Sequence, residues 1–234
     1  PNMKNYLILF CALCLSLNIN AQKNDNRNLK DYSKLKVSGG ISVELLSGNP
    51  SAEIEVTKAD LDELVTEVKG DVLHIKFGKK GLFNWNSGNR QAHIKLSGDL
   101  NLEAISASGG AYIGSSEVIT SDEIDVDASS GGTIEIEIEC NRAICKASSG
   151  GNLRVIGHST FLKAQASSGG NYSGKNFKSK KVIVNASSGG SATVWATDSI
   201  KANASSGGSV KFKGDPKQRD IDVGKHSGGS VREM

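Results

Sequence analysis

Apolar and polar residues alternate through the second half of the chain, in short runs separated by one recurring pentapeptide. The pentapeptide is Ala-Ser-Ser-Gly-Gly, and its five copies begin at Ala128, Ala147, Ala166, Ala186 and Ala204. Successive copies are 19, 19, 20 and 18 residues apart, and shorter Ser-Gly-Gly sequences stand at Ser108 and Ser227. Period-two alternation is typical of a strand with one buried face. Each repeat therefore predicts a strand, a corner, a second strand and a variable corner.

Aligning the five copies separates inward from outward positions. Before the shared alanine, apolar residues stand at two positions: Ile124, Ala143, Leu162, Val182 and Ile200, then Val126, Cys145, Ala164, Val184 and Ala202. After the glycines, the second and fourth positions are Ile134, Leu153, Tyr172, Ala192 and Val210, then Ile136, Val155, Gly174, Val194 and Phe212. We expect these positions to face one interior and the residues between them to face solvent.

A repeat this short and regular indicates a solenoid whose turns stack on one another. Helices are disfavoured because each turn carries two glycines and two serines, and no apolar face recurs at 3.6 residues. Stacked parallel strands satisfy the backbone hydrogen bonds of every interior turn. The sequence therefore predicts an all-β fold, a parallel β-helix with turns of about 18–20 residues, right-handed because β crossovers usually are.

The Ser-Ser-Gly-Gly corner has two interpretations. A stacked ladder of hydroxyls would suit a sugar or a cation. Alternatively, glycine supplies the positive φ that a sharp corner needs while serine caps free amides, and this structural role is the usual one. The calcium-binding nonapeptide of β-rolls requires Asp after its glycines, whereas Thr, Asn or Ser follows here.

Residues 1–21 have the pattern of a secretory signal peptide, with two extra residues before Met3. Lys4 supplies the positive charge, an apolar stretch follows, and Ala21 is the small residue before the expected cleavage. The stretch is too short for a permanent membrane span. We therefore expect an exported protein, located in the periplasm, at the outer-membrane surface or outside the cell.

Beyond the signal peptide, the sequence predicts three segments. Residues 22–33 are polar and charged and predict a flexible tail. Residues 34–98 predict an irregular β unit that begins or caps the solenoid, in which the acidic stretch Asp60 to Leu64 is a candidate helical turn. Residues 99–234 predict the β-helix.

The mature chain keeps two cysteines, Cys140 and Cys145, both expected to point inward on either side of a corner. An exported protein meets oxidising conditions, so a disulfide across this corner is one interpretation. Two small buried apolar side chains are the other.

Candidate binding residues lie in two places. Phe83 and Trp85 stand in a loop rich in glycine and asparagine, where exposed rings would hold a sugar or a partner protein; the alternative is that Trp85 folds back as a plug. Asn185 and Asn203 belong to the outward row beside the corners and are the next candidate surface.

Charge and motif content exclude several functions. The formal net charge of +3 gives no sign of a nucleic-acid partner. The four histidines lack metal-ligand spacing, so neither a metal nor another cofactor is expected. Asp125, Asp127 and three glutamates up to Glu139 form one acidic concentration, but they alternate with Ile and Val as a solvated face does.

The opening Val37-Ser-Gly-Gly-Ile-Ser-Val-Glu-Leu45, the later Leu102 to Gly110 and the pentapeptide ladder together resemble the auto-transporter adhesin head, or GIN, domain family of Bacteroidetes. Ser42 stands where that family usually has asparagine. The resemblance covers residues 34 to about 230 and implies an exported, β-helical protein with an adhesive role.

Two functions of different classes remain. The first is a non-catalytic binding or adhesion module whose ligand is a glycan or a partner protein of the cell envelope. The second is a polysaccharide-processing enzyme, suggested by the β-helix scaffold alone. A pocket with two or more acids beside a Lys or Arg would favour the enzyme, whereas a flat surface of Ser, Asn and aromatic residues would favour the binding module.

Overall fold

The computed structural model describes residues 23–57, 59–78, 90–224 and 228–234, and strands account for most of them. In chain order they are β1 (Lys23–Asn28), β2 (Lys34–Ser38), β3 (Ile41–Ser47), β4 (Ser51–Thr57), β5 (Leu64–Lys69), β6 (Val72–Phe77), β7 (Gln91–Gly98), β8 (Ala104–Ser108), β9 (Tyr112–Ser129), β10 (Thr133–Ser148), β11 (Asn152–Ala166), β12 (Asn171–Ala186), β13 (Ser191–Ala204), β14 (Ser209–Lys213), β15 (Gln218–Val223) and β16 (Ser230–Glu233). A 3₁₀ turn at Leu61–Glu63, within the predicted acidic stretch, is the one helical element in these ranges.

The regular part of the fold runs from β9 to β14. Each long strand bends at the variable corner and pairs in parallel with the next strand along the chain. The pentapeptide alanines Ala128, Ala147, Ala166, Ala186 and Ala204 lie opposite one another in this register. The result is a β-solenoid of about seven stacked turns. The predicted parallel solenoid is confirmed.

The interior of the solenoid contains the residues that the alternation placed there. Every predicted inward position from Ile124 to Phe212 is buried, including Gly174 and the tyrosine Tyr172. Outward neighbours such as Asp125 and Lys201 are exposed. The core is a thin column of small and branched side chains, because each turn contributes only one inward row per strand.

The first strands build one end of the stack, but not in chain order. β2 and β3 form a turn that stacks on β8 and β9. β6 and β7 stack in parallel on the far side of β2 and β3. β5 and β4 then pair antiparallel with β6 and β7. These antiparallel strands terminate the parallel stack at this end.

β1 lies where the sequence predicted a flexible tail. Instead of a tail, Lys23–Asn28 pairs antiparallel with β4 along its whole length. Arg27 fixes it to the neighbouring layer: its guanidinium donates to the carbonyl oxygens of Leu61 and Leu64, at 2.9 and 2.7 Å, and to the Thr66 hydroxyl. The strand has no apolar face, so its sequence lacks the alternation that reveals the other strands.

The predicted signal peptide, residues 1–21, lies outside the described residues. Within the described ranges, no helix is both long and apolar enough to cross a membrane.

Candidate functional site

The repeated corner is a backbone device. In each copy the second serine and the first glycine both have positive φ, for example 50° at Ser168 and 72° at Gly169. Positive φ at both central residues defines a type I′ turn, closed here by a hydrogen bond from Gly170 N to Ser167 O of 2.8 Å. The positive φ predicted for the first glycines is therefore confirmed.

The second glycine of each copy is required for space. A Cβ at Gly170 would lie 2.2 Å from the carbonyl oxygen of Ala147 in the preceding turn. The turn amides bond to backbone carbonyls, and in the described residues no side-chain hydrogen bond involves a serine of the five pentapeptides. The expected capping role of serine is therefore not observed. The motif is explained by the turn and by close stacking.

A groove of about 530 Å³ lies on the outer surface of the strand segments that follow the glycine corners. There β7, β3, β9, β10 and β11 run side by side. The groove includes an irregularity in β9, where the pairing with β10 shifts between Glu135 and Glu137. The bulged residues are held by Ser115, whose hydroxyl donates to the Glu117 carbonyl at 2.7 Å and accepts from the Glu117 amide at 3.2 Å. Glu117 in turn accepts a hydrogen bond from the Ser47 amide.

Tyr112 is the aromatic residue of this groove. Its ring lies across Gly114, since a Cβ there would be 2.9 Å from the phenol oxygen, and the residue is 38% exposed. The hydroxyl donates to Glu135 Oε2 at 3.3 Å. Partial burial, followed by the charge of Glu135, raises the pKa of Tyr112 above its usual value. The phenol therefore stays protonated at neutral pH and donates its one proton to Glu135.

Hydrogen-bonding side chains surround the tyrosine ring. The groove is lined by hydroxyl, carboxylate, imidazole and guanidinium groups of Ser42, Glu44, His93, Ser115, Ser116, Glu135, Glu137 and Arg154, with Ile156 as an apolar neighbour. The strands that carry them are paired on both sides, so the backbone positions are fixed before a ligand arrives. An exposed ring among many donors and acceptors is chemistry that suits a polyhydroxylated ligand.

The sequence contained a signal for Tyr112 that the alignment on Ser-Gly-Gly missed. Tyr112 pairs with Thr133, the polar residue after the next corner. Ala111 N donates to Ser108 O, as the last glycine does in the other copies. The segment from Ala107 to Ala111 is thus a variant of the pentapeptide. Tyr112 therefore takes the outward position that Thr, Asn and Ser take in the other turns.

Phe83 and Trp85 lie outside the described residues. The residues that flank their segment are described: Arg90 Nη1 donates to the Gly78 carbonyl at 3.2 Å and pairs with Glu63 at 3.3 Å. A second depression, of about 410 Å³, extends from Gln91 along Ser42, His93 and Tyr112. Arg90 directly precedes Gln91, which lines this depression.

Asn185 and Asn203 lie opposite each other on β12 and β13, in one row with Gln165 and Lys146. This row lies in the C-terminal part of each long strand, which leads into the pentapeptide. The groove is formed by the N-terminal parts of the strands, which follow it. The structure therefore brings the two asparagines together but does not bring them into the groove.

Cys140 and Cys145 are free thiols in this structure. Cys145 is buried and Cys140 is half-buried against the core, in line with the inward direction predicted for both. Burial, followed by the charge of Asp122, raises the pKa of Cys140 to about 12, and burial also raises that of Cys145. Both thiols are therefore protonated at neutral pH.

The described residues contain no group of three or more His, Cys, Asp or Glu side chains placed to hold a metal ion. His93 lies in the groove and His158 lies 3.7 Å from Glu139.

The parallel stacked turns place this chain among the β-helical proteins. The chain belongs to the family described as "Putative auto-transporter adhesin, head GIN domain", whose model matches residues 31–216. This agrees with the resemblance seen in the sequence.

Three solved structures of similar fold come from Bacteroides and Parabacteroides species. An adhesin candidate from Bacteroides fragilis matches with a TM-score of 0.77 at 18% identity, over 91% of this chain and 97% of that one. Two proteins from Parabacteroides distasonis also match. One is described as a "putative adhesin", with a TM-score of 0.71, 20% identity and coverages of 92% and 98%. The other is described as a "Putative lipid binding protein", with a TM-score of 0.66, 21% identity and coverages of 93% and 98%. No curated protein matches the sequence.

Proposed function

We propose that this protein is an exported, non-catalytic adhesion module of the cell envelope, and that the groove around Tyr112 holds a glycan. Membership of an adhesin-type family supports the adhesive role. The observation that carries the site is the exposed ring of Tyr112 within a groove of hydrogen-bonding side chains.

Sugar chemistry matches the two kinds of surface in the groove. One face of a pyranose ring is made of C–H groups, which pack on an aromatic ring, while its hydroxyls need both donors and acceptors. Glu44, Glu135 and Glu137 supply acceptors and Arg154 supplies donors. Paired strands fix the backbone beneath these groups, so the ordering cost of binding is confined to their side chains.

A glycan array probed with the folded protein and two matched variants tests this proposal. Tyr112→Ala removes the ring from the groove. Val118→Ala removes an apolar side chain that is also 38% exposed but does not line the groove. We expect array signals for the parent and for Val118→Ala, and loss of signal for Tyr112→Ala. Equal signals from both variants would reject the groove, and capture of an envelope protein with a silent array would replace the glycan with a protein ligand.

A second candidate function, polysaccharide processing, is favoured by one observation. The groove contains Glu44, Glu135 and Glu137 beside Arg154, which is the acid-and-base composition expected of such an enzyme. The adhesive role ranks first because these residues occupy outward positions of an open face, and Glu135 accepts a hydrogen bond from Tyr112. Release of shorter sugars from an array-positive polysaccharide, abolished in Glu135→Gln or Glu137→Gln, would establish the enzyme instead.

A further inference from the structure

Charge is segregated along the solenoid axis. Residues 112–147 contain eight acidic and two basic residues, whereas residues 152–213 contain nine basic residues and one acidic residue. The first stretch forms β9 and β10, and the second forms β11 to β14. The near-neutral net charge of the whole chain therefore hides an acidic half-stack next to a basic one.

The basic half-stack is not neutralised by the protein itself. The side chains of Lys175, Lys178, Lys180, Lys181 and Lys211 are exposed. Of the nine basic residues, only Lys201 makes an ion pair in the part of the chain that the structure describes, with Asp220 at 2.7 Å. Accumulated positive charge of this kind repels itself and attracts a polyanion.

One row of side chains gives this charge a geometry. Lys178, Trp195 and Lys213 lie opposite one another on β12, β13 and β14. The ammonium group of Lys213 is 3.8 Å from the centre of the Trp195 ring and that of Lys178 is 5.6 Å from it. Cation–π attraction thus holds both ammonium groups against the indole. Because neighbouring strands are about 4.8 Å apart, the backbones of the two lysines lie roughly 10 Å apart along the axis, and the two ammonium groups, both in contact with one ring, lie somewhat closer together.

We propose that the face of β11 to β14 around Trp195 binds a linear anionic polysaccharide that runs along the solenoid axis. Carboxylate or sulfate groups pair with Lys178 and Lys213, and Trp195 is the positioning residue that keeps these lysines in place. A sugar residue spans about one turn of the stack, so the spacing suits one charge on every second sugar. This surface adjoins the groove at β11, which carries Arg154, but it is centred on Trp195, and the inference does not depend on the proposed glycan in the groove.

The same features disfavour two other polyanions. Duplex DNA carries one charge per about 1.7 Å of axis, which is far denser than this row, and single strands stack on free aromatic faces. The face of Trp195 is already in contact with Lys213. A membrane surface requires its basic residues in one plane, but Lys163 and Lys181 continue the positive charge on the segments before the corner.

Hyaluronan, which has a carboxylate on every second sugar, is the probe for this surface, and neutral dextran is its control. Binding is measured by surface plasmon resonance at about 50 mM and about 300 mM salt, because screening weakens exposed charge pairs. The double variant Lys178→Gln/Lys213→Gln is compared with Lys163→Gln/Lys181→Gln. The second pair removes the same charge from the strand segments that lead into the pentapeptide, away from Trp195. Trp195→Leu removes the aromatic ring, whereas Trp195→Phe keeps an aromatic ring at this position.

We expect the parent protein to bind hyaluronan at low salt and to lose affinity at high salt, without binding dextran. The row variant and Trp195→Leu should lose at least about tenfold in affinity, while Trp195→Phe and the control pair retain most of it. Tyr112→Ala should bind hyaluronan normally, so failure of the groove and failure of this surface are distinguishable. Absence of binding, equal loss in both lysine pairs, or preference for duplex DNA or anionic vesicles would overturn the proposal.

Discussion

The two glycines of one corner, Gly189 and Gly190, are expected to respond very differently to the same substitution. Gly189 has a φ of 72°, and a Cβ there would meet nothing within 4 Å. Gly190 is not among the residues with positive φ, but a Cβ there would lie 2.3 Å from the carbonyl oxygen of Ala166 and 2.4 Å from its carbon. One glycine is therefore required for its conformation and the other for space.

The expected magnitudes follow from these two causes. Alanine at Gly189 costs about 1–2 kcal/mol for the left-handed conformation. The lower entropy of the unfolded chain returns about 0.4–1 kcal/mol for either substitution and cancels in the comparison. Alanine at Gly190 must displace the Ala166 carbonyl, which accepts a hydrogen bond from Ser187 N at 2.9 Å. Overpacking costs about 1–3 kcal/mol, and the weakened hydrogen bond adds about 1 kcal/mol.

Thermal unfolding followed by circular dichroism measures the difference. A gap of about 2 kcal/mol corresponds to about 4–8 °C in Tm for a chain of this size, with Gly190→Ala the lower of the two. Equal melting temperatures, or a lower one for Gly189→Ala, would refute the stacking explanation of the pentapeptide.

Three further predictions concern the interior. Val184→Asp should destabilise by about 3–5 kcal/mol because it buries an unpaired charge, whereas Asn185→Asp, one residue on and facing outward, should leave the melt nearly unchanged. Ser159 and Ser179 share a buried hydrogen bond of 2.8 Å. Ser179→Ala should lower the free energy of unfolding by about 1–3 kcal/mol, because it leaves the Ser159 hydroxyl unpaired. Adding Ser159→Ala should recover part of this loss, and a double-mutant cycle of urea unfolding measures both effects. The hydroxyl of Tyr172 is buried without a hydrogen bond of normal geometry, and burial followed by the nearby Cys145 raises its pKa well above the usual value. Because the folded chain favours the neutral phenol, the contribution of Tyr172 to the free energy of unfolding should be fully present below about pH 10 and fall above it. The Tyr172→Phe variant should therefore lose less stability than the parent between pH 8 and pH 11. An identical loss in both proteins would contradict this.

Most of the regular solenoid was predictable because apolar and polar residues recur at the same positions of each repeat. The corner fixes the phase of the alternation, and from it Ile124 and Val184 follow as buried residues. The order of the first strands was not predictable in this way. β6 and β7 enter the stack beyond β2 and β3, and nothing in a local alternation specifies which turn a strand will pair with. β1 was missed because Lys23–Asn28 has no apolar face and is fixed by backbone pairing and Arg27.

The groove could be predicted only in part. Glu135 and Glu137 were recognised as outward residues, but their proximity to Glu44 and His93 depends on the non-sequential order of β7, β3 and β9. Tyr112 was identifiable in principle, through the variant corner at Ala107 to Ala111. Ser159 and Ser179 belong to the variable corner, where no repeated residue type indicates which side chains turn inward.

Calorimetric titration of the strongest array ligand into Tyr112 variants tests the central claim most directly. Tyr112→Ala removes the ring and Tyr112→Phe removes only the hydroxyl that bonds to Glu135. If the groove holds a sugar against the ring, the dissociation constant should rise at least about tenfold for Tyr112→Ala and much less for Tyr112→Phe, with Tm nearly unchanged in both. An unchanged dissociation constant for Tyr112→Ala would show that the ligand binds elsewhere and would contradict the account.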